Sequence, residues 1–265
     1  MNDPTFRLTV LGTRGSMAVG GSEFHLYGGA TSCYLVQAGE ESLFLDAGSG
    51  LIAAPVQFPR PPVILLSHLH LDHLLGLGMY PRLTRRGEET RILVPAAPGR
   101  DPRDLLNAVF SPPFWPLSLS SYAGDVRIGP LALPLSIGEV LVEGIPGNHP
   151  GDCHIMKISF RGKSLVYATD FEYEPSAFDA LATFARGTDL LLYDGQYTVE
   201  EAEQRKGFGH STAELGLTLM ERSRAKRLLL IHHDPQATDE ALSARNRLLT
   251  DSNAHYAKSG EVIEL

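Results

Sequence analysis

Short apolar runs, cut by clusters of glycine and proline, set the rhythm of this chain. Arg7 to Leu11 alternates polar and apolar residues and predicts a strand, which stops at Gly12-Thr13-Arg14-Gly15-Ser16. Strands are also predicted near Ser32–Gln37 and over Ser42–Asp46, the latter ending at Ala47-Gly48-Ser49-Gly50. Val63 to Leu66 is compact, wholly apolar and introduced by Pro61-Pro62, as a buried strand would be. The pattern predicts a helix over Leu74–Tyr80, ended or kinked by Pro81. A second helix is predicted over Asp101–Phe110, with Asp101 as cap and Pro102 at the first helical position. Further strands are expected at Arg91–Pro95, His154–Phe160, Ser164–Ala168, Asp189–Tyr193 and Leu228–Ile231, with Arg161-Gly162 as a hairpin turn. Val126–Ile128 and Val140–Val142 are expected to open the second half. Helices follow at Pro175–Arg186, from Ala213 to Met220 behind a Ser211 or Thr212 cap, and at Thr238–Leu249. Tyr256–Leu265 adds a small strand. Two comparable halves of strands and helices suit a sandwich of two mixed sheets flanked by helices.

The densest chemistry follows the Val63–Leu66 run, in Ser67-His68-Leu69-His70-Leu71-Asp72-His73. On extended backbone His68 and His70 project to one side, while Asp72 and His73 sit at the opening of the next helix. Two pairs of donors side by side suit two divalent metal ions. Imidazole with carboxylate suits zinc first, with manganese or iron as alternatives. A structural zinc would normally use cysteines, and none is near.

His68-x-His70-x-Asp72-His73 resembles the signature of the metallo-β-lactamase-fold hydrolases. The order of later motifs resembles the branch holding ribonuclease Z and small cyclic-phosphate phosphodiesterases. The resemblance implies an α/β fold, a four-layer αββα sandwich spanning 1–265 as one domain. It also implies a site in which His68, His70 and His149 hold one metal, Asp72, His73 and His232 hold the other, and Asp170 bridges them. Asp46-Ala47-Gly48 either supports that site or simply caps a turn. His149 lies in Gly147-Asn148-His149-Pro150-Gly151-Asp152-Cys153-His154, where His154 competes for the role and Asp152 replaces an expected glycine. Gly209-His210-Ser211-Thr212 resembles the motif that brings an extra histidine to the scissile phosphate, which implies a catalytic His210. The expected reaction is attack on a phosphodiester by a metal-activated hydroxide, with Asp72 and His210 in the catalytic set. Lactone, thioester or β-lactam hydrolysis and tRNA 3′-processing are the rivals.

Composition narrows the substrate. A formal net charge of −8 argues against a broad footprint for nucleic acid, whereas a small phosphodiester would feel chiefly the metals. Ser111-Pro112-Pro113-Phe114-Trp115-Pro116 holds the lone tryptophan; Phe114 and Trp115 either pack in a rigid loop or wall the substrate pocket. The two cysteines, Cys33 and Cys153, sit in strand-like apolar surroundings and read as buried thiols. No basic-then-apolar leader and no membrane-length apolar run is visible, so a cytoplasmic enzyme without membrane contact is expected, and the resemblance admits a homodimer.

Overall fold

The computed structural model describes residues 5–265. The first half runs β1 (Phe6–Gly12), β2 (Cys33–Ala38), β3 (Glu41–Leu45), β4 (Val63–Leu65) and β5 (Glu89–Val94), then α1 (Pro102–Asn107) and β6 (Asp125–Pro130). The second runs β7 (Leu135–Ile137), β8 (Val140–Pro146), β9 (His154–Phe160), β10 (Lys163–Ala168), α2 (Pro175–Phe184), β11 (Leu190–Asp194), α3 (Val199–Gln204), α4 (Ala213–Ser223), β12 (Leu228–Ile231), α5 (Asp239–Arg247), β13 (Ala254–Tyr256) and β14 (Val262–Glu264). They form two seven-stranded sheets, ordered β14-β1-β2-β3-β4-β5-β6 and β13-β12-β11-β10-β9-β8-β7. Both sheets are mixed: β3 to β6 and β10 to β13 are parallel, and the other pairings antiparallel.

Strand alternation builds three apolar layers from these two sheets. Val63 and Leu65 of β4 face the space between the sheets, where they meet Leu229 and Ile231 of β12. The intervening Ile64 faces outward, into a layer with Leu77, Leu83, Leu106 and Phe110. Leu228 and Leu230 face the opposite outer layer, where Phe178, Leu181, Leu219 and Leu242 of α2, α4 and α5 cover the second sheet. Buried on both faces, the parallel strands read as continuous apolar runs. The result is the expected four-layer sandwich of helices, two sheets and helices. No helix among the described residues is long and apolar enough to cross a membrane. Cys33 and Cys153 are buried free thiols, as expected.

Four expectations change. The helix over Leu74–Tyr80 is replaced by 3-10 turns at Leu71–His73, Leu75–Met79 and Pro81–Thr84. Gly76 N–H donates to the Ala47 carbonyl at 2.9 Å, a tertiary partner in place of a helical one, and a Cβ there would strike the Gly48 carbonyl. Val126–Ile128 lies in β6, pairs with β5 (Ile92 beside Ile128), and so ends the first sheet; the second opens at β7, a three-residue run too short to show a period. The tail makes two strands, β13 on β12 and β14 on β1, divided by a turn at Gly260. Finally, α3 was not anticipated: it buries no residue, so it has no apolar stripe, although the capping box of Thr198 and Glu201 marks its start.

Candidate metal centre

The parallel strands of both sheets end at one rim, and the donors are the residues just past those ends. β3 runs into Asp46, β4 into Ser67 and His68, β10 into Thr169 and Asp170, β11 ends on Asp194, and β12 runs into His232. Extended backbone at His70 then starts the turn Leu71–His73, which brings Asp72 and His73 back beside His68. The rings of His68 and His70 lie 4.5 Å apart and those of His68 and His73 4.2 Å apart. His149 arrives on the loop between β8 and β9, and His210 on the approach to α4. At three of these strand ends the backbone is left-handed without glycine: Asp46 (φ 61°), Asp170 (φ 49°) and His232 (φ 61°).

Two donor sets result: His68, His70, His149 and Asp170 in one, Asp72, His73 and His232 in the other. Asp170 faces both. Its Oδ2 is 3.5 Å from His68 Nε2 and 3.7 Å from His149 Nε2; its Oδ1 is 3.3 Å from His73 Nε2 and 3.2 Å from His232 Nε2. In the second set His73 and His232 Nε2 lie 3.2 and 3.1 Å from Asp72 Oδ2. Donors around a tetrahedral ion with bonds of 2.0–2.1 Å stand about 3.4 Å apart, so these spacings fit a divalent cation in each set.

The proton positions support the same fit. Asp46 Oδ2 accepts from His73 Nδ1 (2.7 Å), and the Gly209 carbonyl accepts from His149 Nδ1 (3.0 Å). The Ser67 hydroxyl donates to Asp46 (2.7 Å), so its oxygen accepts from His68 Nδ1 (3.0 Å). Each ring thus spends its one proton outward and turns a bare Nε2 inward. His68 Nε2 is buried with no hydrogen-bond partner among the described residues, and His73 and His232 Nε2 face each other at 3.2 Å. Converging lone pairs of this kind call for a cation. Burial lowers the pKa values of His68, His70 and His149, holding them neutral as ligands must be.

Residues 41–233 match the family model of the β-lactamase superfamily domain. The chain belongs to the metallo-β-lactamase superfamily. YhfI, a probable metallo-hydrolase of Bacillus subtilis (strain 168), is 25% identical over 89% of this chain and 93% of its own. The YhfI crystal structure shares the fold with a TM-score of 0.76 at 22% identity, covering 99% of this chain and 100% of its own. Ribonuclease Z of Ignicoccus hospitalis is 27% identical over 74% of this chain and 79% of its own. A diphosphatase from the PhnP family superposes with a TM-score of 0.71 at 19% identity, covering 98% of both chains. Within the metallo-β-lactamase superfamily, these relatives mark the ribonuclease Z and phosphodiesterase-like branch.

All seven residues expected by resemblance to be ligands come together here, and His210 joins them, its ring stacked on His232 at 4.9 Å. His154 stays outside both sets. Asp152 lines a neighbouring slot with Leu69 and Arg100, so its side chain shapes that slot and leaves the donors untouched. The cavity over the donors, about 390 Å³, is lined by Ser16, Leu69, His70, Leu71, Asp72, Asp170, Phe208, His210 and His232. Phe114 and Trp115 are not in it. Trp115 packs edge-on to Phe110 and donates its Nε1–H to Tyr122 (2.8 Å), while Phe114 is 78% exposed elsewhere. The aromatic wall falls to Phe208. Asp46 supports the site beneath His73 and does not merely cap a turn. Sequence reasoning gave no role to Ser16, Asp194 or Gln196, which hold Asp72, His210 and His232 respectively. Only Asp194 carried a signal, a carboxylate at the end of a buried strand.

Proposed function

We propose that this hydrolase is a binuclear, metal-dependent phosphodiesterase acting on a small or cyclic phosphodiester. The observation that carries the reading is His210, held over both donor sets by Asp194, whose Oδ2 accepts from His210 Nδ1 at 2.9 Å. Two divalent cations, one in each set with Asp170 between, would supply Lewis-acid polarisation of a phosphoryl oxygen and an acidified water.

The chain's own residues do the rest. With Nδ1–H given to Asp194, the other nitrogen of His210 serves the cavity. Burial opposes protonation of His210, but the charge and hydrogen bond of Asp194 outweigh it and raise its pKa. An imidazolium there donates to a phosphoryl oxygen or protonates the departing alkoxide. Leu69, Leu71 and Phe208 give the cavity an apolar mouth for the organic part of the ester.

The test is hydrolysis of bis-p-nitrophenyl phosphate by zinc- or manganese-loaded protein, beside His210→Ala. Turnover that falls by about tenfold or more in the variant, roughly 1.4 kcal/mol of transition-state stabilisation, supports the proposal. Cleavage of lactones or thioesters alone would sink it. The ribonuclease Z relative favours a second reading, tRNA 3′-end cleavage. The net charge of −8 weighs against it, because a long polyanion gains affinity from a surplus of cations. Cleavage of a precursor tRNA at rates matching small diesters would reverse that preference.

A further inference from the structure

Ser16 is exposed at the end of the turn Gly12-Thr13-Arg14-Gly15-Ser16 and lines the cavity with Asp72, Asp170, His210 and His232. Its backbone is pinned. The Ser16 N–H donates to Asp72 Oδ2 at 2.6 Å, and its φ of 59° is left-handed. Glycine would hold that conformation more cheaply, so a serine here brings a side chain to a place that backbone economy would leave bare.

The direction of a hydrogen-bond chain shows what that side chain offers. His232 turns Nε2 to Asp72 and Asp170, and as a metal donor that nitrogen carries no proton. The ring proton therefore sits on Nδ1 and is donated to Gln196 Oε1 at 2.8 Å. Gln196 is buried, so its amide is set by this bond, and its Nε2–H donates to Ser16 Oγ at 3.2 Å. The serine oxygen is thus an acceptor toward the protein. Its own proton has no acceptor among the described residues and is left for the cavity.

We propose that Ser16 is a substrate-binding residue whose hydroxyl donates a hydrogen bond to a phosphoryl oxygen, in the cavity that His210 also lines. The identity of the ligand rests on the phosphodiester reading above, and the direction of the chain on His232 as a metal donor. The mundane alternative is a solvated hydroxyl that meets only Gln196 and never a ligand.

Ser16→Gly, which keeps the left-handed turn, and Ser16→Ala separate the two. Zinc-loaded wild type and variants are compared by zinc per chain, by binding of inorganic phosphate in titration calorimetry, and by kcat and KM on bis-p-nitrophenyl phosphate. The expected result is unchanged zinc, phosphate bound about tenfold more weakly, and kcat/KM lower by about tenfold or more in both variants. Equal phosphate affinity and kcat/KM within about twofold would overturn the proposal. So would a loss that tracks loss of zinc, since Ser16 would then act only by holding Asp72, and so would a wild type that binds no phosphate. A wild type that binds phosphate through Ser16 yet cleaves no phosphodiester would overturn the proposed reaction and leave the assignment of Ser16 standing.

Discussion

Asp46 accepts a 2.7 Å hydrogen bond from His73 Nδ1 while the same oxygen accepts from the hydroxyls of Tyr167 (2.6 Å) and Ser67 (2.7 Å). One buried carboxylate therefore orients the His73 ring and, through Ser67, that of His68. Asp46→Ala should lower metal affinity by about 10- to 100-fold, as loss of such an orienting partner does elsewhere. Competition against a coloured chelator measures it. Unchanged affinity would mean that packing alone aims His73.

Glu172 ties two loops of the site together. Its carboxylate accepts from the N–H groups of Gly207 (2.8 Å) and Gly209 (2.8 Å), and its own N–H donates to the Asn148 carbonyl (2.9 Å). The loops bearing His149 and His210 thus share one anchor. Glu172→Ala should reduce kcat by about three- to tenfold through misplacement of His210. Trypsin should cut faster after Arg205 or Lys206. An unaltered digest with unaltered kcat would show that the loop holds its own shape.

Gly15 lies so close to His232 that a Cβ would overlap the imidazole. If each donor set holds one ion, as proposed, Gly15→Ala should displace that ring and reduce bound metal from about two ions per chain toward one, the stoichiometry expected when a single three-donor set fails. Gly20→Ala is the control, since nothing lies near a Cβ there. Elemental analysis of both proteins decides it; full metal content in Gly15→Ala would show that the loop can retreat.

His233 predicts an acid-sensitive fold. It is buried between Tyr27 and Tyr256, donates Nε2–H to the Ala257 carbonyl at 2.8 Å, and burial pulls its pKa down to about 3. In the unfolded chain histidine titrates near about 6.5. Below that pH the unfolded state takes up a proton that the folded state refuses, so this contribution is complete above about 6.5 and fades as pH falls toward 3. His233→Phe should flatten the decline in urea-unfolding free energy by up to about 1.4 kcal/mol per pH unit between roughly pH 6 and 4. Parallel slopes would assign the acid sensitivity to other groups.

Much of this was legible in the chain because it was local. β9 and β12 have the bounds that their apolar runs suggest, and Asp101 caps α1 through Arg103 N–H at 2.8 Å. The run from His68 to His73 stood out because four donors fall within six residues. Ser16 and Gln196 were invisible for the opposite reason. They meet 180 residues apart in sequence, and each acts through a group that any polar turn residue possesses. Phe208 was overlooked in favour of Phe114 and Trp115, since an aromatic between glycines looks like a plain loop until Glu172 is seen to pin Gly207 and Gly209. The turns after His73 failed as a helix prediction because Gly76 is bonded to Ala47, a partner that periodicity cannot reveal.

Ser16, Asp46, Asp170 and His232 are four of the seven non-glycine residues with left-handed backbone among the described residues. Such conformations cost on the order of 1 kcal/mol or more each, so the fold is least comfortable at its donors and the residues beside them. Selection for heat tolerance alone would be drawn to these positions, where glycine relaxes the chain and removes a working side chain in the same step. Laboratory evolution toward a hardier protein should therefore silence the centre early, with the melting temperature rising as activity disappears. A hardening campaign that holds these four positions constant would have to find its gains elsewhere.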